Sequence, residues 1–305
     1  MNADDLLAGV KTRAALPPFQ TVWTDANILK AMQEEMESQV VPALYSVQQD
    51  YFTDNLDLPL VANQQGYRLP SRAMGDVLRG IYWVDSTGIV AKPPLLRVNL
   101  DEISDFTTTA ATIPKAFFLV YDQINLLPTP SVSTSGSIRL FYLRRPGILV
   151  SNILAGGQST QVGIISAVTN DTTLTMTVAM NGWANSQNVD IVMASPPFAL
   201  LLRDQAATGA ASGSTTITIA AGGLLTAGIS VGDYVTLAQN SYVPQIPREW
   251  HPYIEVRIAA FILESIGDVN GADRFYRLSD ELRANVMKLV TSRTPGNPLK
   301  MNPWK

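Results

Sequence analysis

The 305-residue chain contains no cysteine. That absence removes disulfides, thiolate zinc sites, iron–sulfur clusters and cysteine nucleophiles together, and it fits folding in a reducing cytoplasm. Histidine is nearly missing as well, with His251 the single example, so a metal site built on several histidines is excluded. Charge is sparse: 16% of residues are Asp, Glu, Lys or Arg, against about a quarter in ordinary globular chains. Surface that is neither charged nor core suits contact with other subunits. The net charge of −4 argues against a general nucleic-acid binder, which carries a basic face. No apolar run approaches the ~20 residues needed to cross a bilayer. Met1–Leu16 carries Asp4 and Asp5 where a signal peptide would be basic. A soluble protein without a targeting segment is expected, and the 46% hydrophobic content supplies a full core, enough for two packed units.

Periodicity divides the chain into zones. Residues 3–16 predict a short helix on Leu7, Val10 and Ala14, stopped by Pro17-Pro18. A second helix starts near Thr24 or Asp25 with the stripe Leu29, Met32, Met36, Val40, Leu44, Val47 and Tyr51. Pro42 should kink or split it, and Glu34, Glu35 and Glu37 fall on its solvated side. From Leu58 to Leu149 strands and turns take over, with candidates at Leu95–Leu100, Ala116–Tyr121 and Ile138–Leu143. Within this zone Tyr67–Leu69 reads as a strand stopped by Pro70. Ser71 caps a helical turn through Arg72, Met74 and Leu78, and Ile81–Val84 forms a second strand closed by the Asp-Ser-Thr-Gly turn ending at Gly88.

Residues 150–246 differ. They are rich in Thr, Ser, Ala and Gly, and two blocks share one internal spacing: Thr172–Met176 leading to Asp190-Ile191-Val192, and Thr215–Ile219 leading to Asp233-Tyr234-Val235. Alternating Thr with Leu, Ile or Met marks half-buried strands. A small inserted barrel or sandwich, built from duplicated halves or alike by chance, is expected. Helices then return. Pro252 suits a first turn, Ile254, Ile258, Ile262 and Ile266 form a stripe ended by Gly267, and a last helix presents Phe275, Leu278, Leu282, Val286 and Leu289.

No constellation carries catalysis, so no catalytic, cofactor or metal residue is assigned. His251, at a helix start between Trp250 and Pro252, has neither nucleophile nor orienting carboxylate beside it in sequence, and a structural role is favoured. The carboxylates Asp54 with Asp57, and Asp101, Glu102 with Asp105, read as capping or solvated groups. The glycine-rich stretch Gly209–Ser214 lacks a following Gly-Lys-Ser/Thr and reads as a loop, not a phosphate cradle.

The C-terminal end is more informative. From Arg283 onward the chain has no acidic side chain, and after Pro295 it is rich in Pro and Asn while carrying Leu299, Met301 and Trp304. A frayed end is the bland alternative. Apolar anchors on an extended basic segment favour docking instead, with Arg293, Leu299, Lys300, Met301, Trp304 and Lys305 as the contact residues.

The opening helix DDLLAGVKTRAALP, the helix with Glu34-Glu35 and Val41-Pro42, the block YRLPSRAMG and the late HPYIEVRIAAFILESIGD together resemble the head-to-tail adaptor (connector) proteins of tailed bacteriophages. The resemblance covers most of residues 1–150 and 246–305. It implies an α+β fold with a helical-bundle core and small strands, an inserted β-barrel or β-sandwich and an extended C-terminal tail. The implied division is 1–149 with 247–293 as a discontinuous core, 150–246 as the insertion and 294–305 as a docking tail. The implied function is a non-enzymatic virion component of the neck, assembled in the host cytoplasm. It would be a homo-oligomeric ring, twelve copies by resemblance, that binds the portal above and tail or nozzle proteins below. Viral DNA would pass through it without sequence readout, and no cofactor or membrane is involved. Arg72 and Arg79, presented beside the scaffold block, are the candidate subunit contacts. The alternatives are a tail or fibre protein whose β module binds a receptor or glycan, and a hydrolase; the second lacks a nucleophile–base pair, the first lacks trimerisation repeats.

Overall fold

Asn2 and Asp5 set the start of the first helix, α1 (Ala3–Arg13): the Asn2 side chain accepts from the Asp5 N–H, and the Asp5 carboxylate accepts from the Asn2 N–H. This reciprocal cap satisfies two otherwise orphaned donors. The structure is a computed structural model that describes residues 1–17, 22–48, 50–85, 87–90, 93–106, 113–131, 136–152, 162–180, 183–209, 213–220 and 222–292. Thr24 caps α2 (Asp25–Glu35) by accepting from the Asn27 N–H. The break expected at Pro42 takes the form of a π-helical turn, Met36–Val40, running directly into α3 (Val41–Val47). Pro42 has no N–H to offer the i−4 carbonyl. The wider turn, in which the Val41 N–H reaches back to the Met36 carbonyl, carries the helix past it.

Residues 49–145 form one compact unit. Its strands are β1 (Thr53–Pro59), β2 (Gly66–Arg68), β3 (Ala73–Val84), β4 (Leu96–Arg97), β5 (Ala116–Val120), β6 (Gln123–Leu127) and β7 (Ser137–Arg144). They make an antiparallel sheet of order β1-β7-β3 and a second sheet of order β2-β6-β5-β4, with β4 parallel to β5. Along β7 the period of two turns Ile138, Leu140 and Tyr142 inward, to join Tyr67, Ile81, Phe117, Ile124 and Leu126 in a shared core. Two expectations are corrected here. The helical turn from Ser71 through Leu78 does not form: the Ala73 N–H closes a tight turn onto the Pro70 carbonyl at 2.8 Å, and β3 follows at once. Pairing with β7, Ile81 opposite Leu140, buries side chains that an isolated helical turn would leave exposed. The strands are also more than small additions to a helical core, because they own a core of their own.

The second unit contains residues 1–48 and 146–305. It adds β8 (Ile148–Leu149), β9 (Val162–Val168), β10 (Thr173–Met180), β11 (Ser186–Val192), β12 (Leu200–Thr208), β13 (Ser214–Ile219), β14 (Tyr234–Leu237), β15 (Asn240–Ser241), α4 (His251–Ser265) and α5 (Val269–Ser292). Strands β9 to β14 close into an antiparallel barrel of order β10-β13-β12-β11-β14-β9, filled by Leu174, Met176, Ile191, Ile217, Ile219 and Val235. Of the barrel and the sandwich, the chain forms the barrel. The two sequence blocks pair with one another: Leu174 faces Ile217, and Ile191 faces Val235. Exchanging β9 with β12, β10 with β13 and β11 with β14 leaves every neighbour relation unchanged. Asp190 and Asp233 play matching parts, Asp190 accepting from the N–H groups of Asp204 and Gln239, and Asp233 from those of Ala194 and Ser230.

Helix α4 is central to this unit, with α1, α2 and α5 packed on it. Its stripe Ile254, Ile258 and Ile262 is buried. Ile266, expected in that stripe, is exposed because α4 ends at Ser265 and Gly267 turns the chain at φ +90. The stripe expected on α5 is only partly covered: Val286 is buried with Ala272 and Ser279, whereas Leu278 and Leu289 are 36% and 52% exposed.

Candidate functional site

The docking residues expected in the tail, Arg293, Leu299, Lys300, Met301, Trp304 and Lys305, lie outside the described residues, as does the segment 294–305 that contains most of them. Arg72 and Arg79 are well placed for description. The turn before β3 buries Arg72, and its carbonyl accepts from the Arg145 N–H at 2.7 Å. Arg79 leaves β3 toward Asp50 and Thr53, forming an ion pair with the first and donating to the hydroxyl of the second. Arg72 lies in the turn before β3 and Arg79 within that strand, and the two do not form one cluster. Arg79 borders a depression of about 530 Å³ with Tyr82 and Phe141, whose rings meet edge to face at 5.5 Å.

Several of the carboxylates weighed for chemistry are engaged structurally. Asp57 accepts from Arg139 through both oxygens at 2.7 Å, which holds the guanidinium pKa above its ordinary value. Asp54 pairs with Arg144 at 3.7 Å, and Glu102 accepts from the Asn99 N–H. Glu35 departs from the solvated position expected of it: Tyr253 donates to it at 2.6 Å and Arg257 approaches to 3.7 Å. Burial first, and then that hydrogen bond, push the Tyr253 hydroxyl above its usual pKa. His251 is buried with neither ring nitrogen hydrogen-bonded, and burial pulls its pKa down to about 4. Such an imidazole is neutral near pH 7. Among the described residues no three His, Asp or Glu side chains converge as a metal site would require.

A groove of about 270 Å³ opens between α2, α4 and α5, lined by Glu34, Glu35, Arg257, Phe261 and Tyr276 among others. Arg257 lies over the Tyr276 ring at 4.6 Å, and Tyr276 donates to Glu264. Burial and that donation raise the Tyr276 pKa to about 12. Trp23 packs edge to face on Phe261 and donates to the Ser265 hydroxyl at 2.8 Å, yet Phe261 remains 48% exposed. Sequence reading missed this groove, because its residues come from three helices. The only local signal was the low charge of the chain as a whole. Another missed feature is Tyr121, 90% exposed at the two-residue tip between β5 and β6.

The described residues build packed helices, two sheets and a closed barrel, in which Glu35, Asp54, Asp57 and Glu102 are held in structural contacts. Residues 1–156 match the family model of the SU10 adaptor protein. The chain belongs to that family and is a structural adaptor protein of a bacteriophage virion. The match spans α1 to α3, all of the two-sheet unit and β8, and it ends before the barrel begins. Among curated proteins none matches the chain. No helix among the described residues is long and apolar enough to cross a membrane.

Proposed function

We propose that the protein forms a ring joining the portal to the tail, through which viral DNA passes, and that it docks on the portal through residues 293–305. The observation that carries this reading is the family match over residues 1–156. The basic, carboxylate-free sequence of the tail, with Leu299, Met301 and Trp304 as apolar anchors, supports the docking role. In this reading the helices supply the adaptor core, the inserted segment 150–246 is a peripheral decoration or a seat for the next tail component, and Arg72 and Arg79 mark the contacts with neighbouring subunits. The ring has no catalytic duty and no cofactor. Nozzle or other tail proteins bind on the side away from the portal.

Electron microscopy of the purified protein, alone and on portal-bearing heads lacking it, tests the proposal. Rings with an open channel, seated at the portal vertex, are expected. Trp304→Ala should weaken attachment, since one buried aromatic anchor is worth about 2 kcal/mol and the contact repeats around the ring. Deleting residues 294–305 should abolish attachment while leaving the circular-dichroism spectrum unchanged. Normal attachment of the truncated protein would exclude the tail, and elongated particles in place of rings would favour a fibre protein.

A further inference from the structure

We propose that Tyr121, at the tip of the β5–β6 hairpin, is an aromatic anchor that enters an apolar pocket on a partner protein of the virion, with Arg145, across the adjoining depression, meeting a carboxylate on the rim of that pocket. The inference rests on the adaptor reading and adds a contact surface to it that is independent of the C-terminal tail.

Tyr121 combines two features that seldom coincide. Its φ of +54 lies in the left-handed region, where a Cβ is crowded and asparagine or aspartate is the usual exception to glycine. Its side chain is 90% exposed, so no packing within the chain offsets that crowding. Two-residue hairpin turns with such a backbone are ordinarily made by glycine or asparagine. A large ring held there and turned to solvent points to a use outside the chain. The tip is also braced. Val120 and Gln123 pair at the end of the hairpin, the Leu69 N–H donates to the Asp122 carbonyl at 2.8 Å, and Arg68 Nε donates to the Asp122 carboxylate at 3.2 Å. An anchor fixed in advance loses little conformational freedom on binding.

Asp122, the other residue of the turn, lines a depression of about 450 Å³ whose remaining walls come from Arg145 and from the stretch between Arg68 and Gly75. The YRLPSRAMG block thus braces the tip and shapes the surface next to it. Arg68 is matched by Asp122, whereas Arg145 is exposed and forms no ion pair among the described residues. The region offers one exposed ring, the apolar lining of Leu69, Pro70 and Ala73, and one unmatched positive charge. That combination fits a protein pocket better than a nucleic acid. The Asp122 carboxylate follows the ring directly and would repel phosphate. Residues 49–145 also carry as many Asp and Glu as Lys and Arg, so they have no excess of positive charge with which to hold a polyanion. A tyrosine on a rigid turn, with an arginine nearby, has the composition of an interface hot spot, and the single charge favours a pocket with a carboxylate at its rim.

The crowded backbone makes the test discriminating. Tyr121→Asn removes the ring and eases the turn, so the full-length variant should melt no lower than the native chain. Its binding to purified portal-bearing heads that lack the chain, or to purified tails, should fall at least about twentyfold on one of the two. Tyr121→Phe keeps the ring and should bind within about fivefold of the native chain. Arg145→Glu should weaken binding to the same partner as Tyr121→Asn. Native-strength binding of Tyr121→Asn to both heads and tails would overturn the anchor, as would a loss confined to self-association in analytical ultracentrifugation or to duplex DNA. A melting temperature lowered by more than about 3 °C in Tyr121→Asn would show that the ring serves the fold instead. The adaptor reading fails differently. A native chain that binds neither heads nor tails removes that reading and this contact together, whereas native binding that Tyr121→Asn leaves unaltered removes only the contact.

Discussion

The ring of Phe198 lies stacked on that of His251, with centroids 5.5 Å apart and planes 23° from parallel. Phe198 comes from the loop between barrel strands β11 and β12, and His251 opens α4, so this contact binds the barrel to the helical part of the same unit. It also seals the imidazole from water.

A pH dependence follows. Burial, then the N-terminal ammonium, lower the His251 pKa to about 4 from 6.5, with Arg248 adding to the repulsion. The folded state therefore favours the neutral ring. Its contribution is complete above pH 6.5 and is lost as pH falls toward 4, where the unfolded chain has already taken up a proton. The loss amounts to roughly 3 kcal/mol. Thermal melts across that window should show the native chain losing stability toward acid pH relative to His251→Phe, which has no ring to protonate. Parallel curves would mean that His251 does not titrate in this way.

Asp4 should be a second stability determinant. It accepts from Ser151 Oγ at 2.5 Å and Tyr242 Oη at 2.8 Å, joining α1 to the segments that enter and leave the barrel. Burial, and then that hydrogen bond, raise the Tyr242 pKa. Asp4→Ala leaves two hydroxyls short of an ionic acceptor and should cost about 2 kcal/mol in urea unfolding. A change below about 0.5 kcal/mol would indicate that water replaces the carboxylate.

Gly9 sets two effects against each other. Alanine in the middle of α1 would gain about 1 kcal/mol in helix propensity. A Cβ there, however, would stand 2.1 Å from Glu255 Oε1, the atom that accepts from Arg13 at 2.7 Å. Displacing a buried carboxylate from its partner costs more than the helix gains. Gly9→Ala should therefore destabilise the chain by about 1–2 kcal/mol. In a Glu255→Ala background the same change should turn neutral or stabilising, and calorimetry on the four chains of this cycle decides the matter.

The barrel should be removable at its neck. Strands β8 and β15 run side by side, with the Ile148 N–H donating to the Gln239 carbonyl and the Val150 N–H to that of Ser241. Replacing residues 154–238 by a short Gly/Ser bridge keeps these hydrogen bonds and the Asp4 network. The helices should persist by circular dichroism with a lower melting temperature, because His251 loses its Phe198 cover. Loss of all cooperative unfolding would show that barrel and helices fold only together.

Several helix starts and stops were legible in the chain itself, because Thr24, Pro252 and Gly267 act on neighbours within a turn. The paired strands of the repeat were legible for a similar reason, since alternation of Thr with Ile or Leu shows which side is apolar without saying what covers it. Tertiary structure decided everything that depends on distant partners. Ser71–Leu78 became turn and strand because β7 was there to pair with it. Glu35, on a side of α2 that reads as solvated, found Tyr253 and Arg257 on a helix more than two hundred residues away. The apolar stripe of α5 was visible as periodicity, but only packing on α4 could select Ala272, Ser279 and Val286 for burial and leave Leu278 in the open. Local propensity acts through neighbouring residues and can be read in order along the chain. Burial is a competition among surfaces that meet only once the chain has folded.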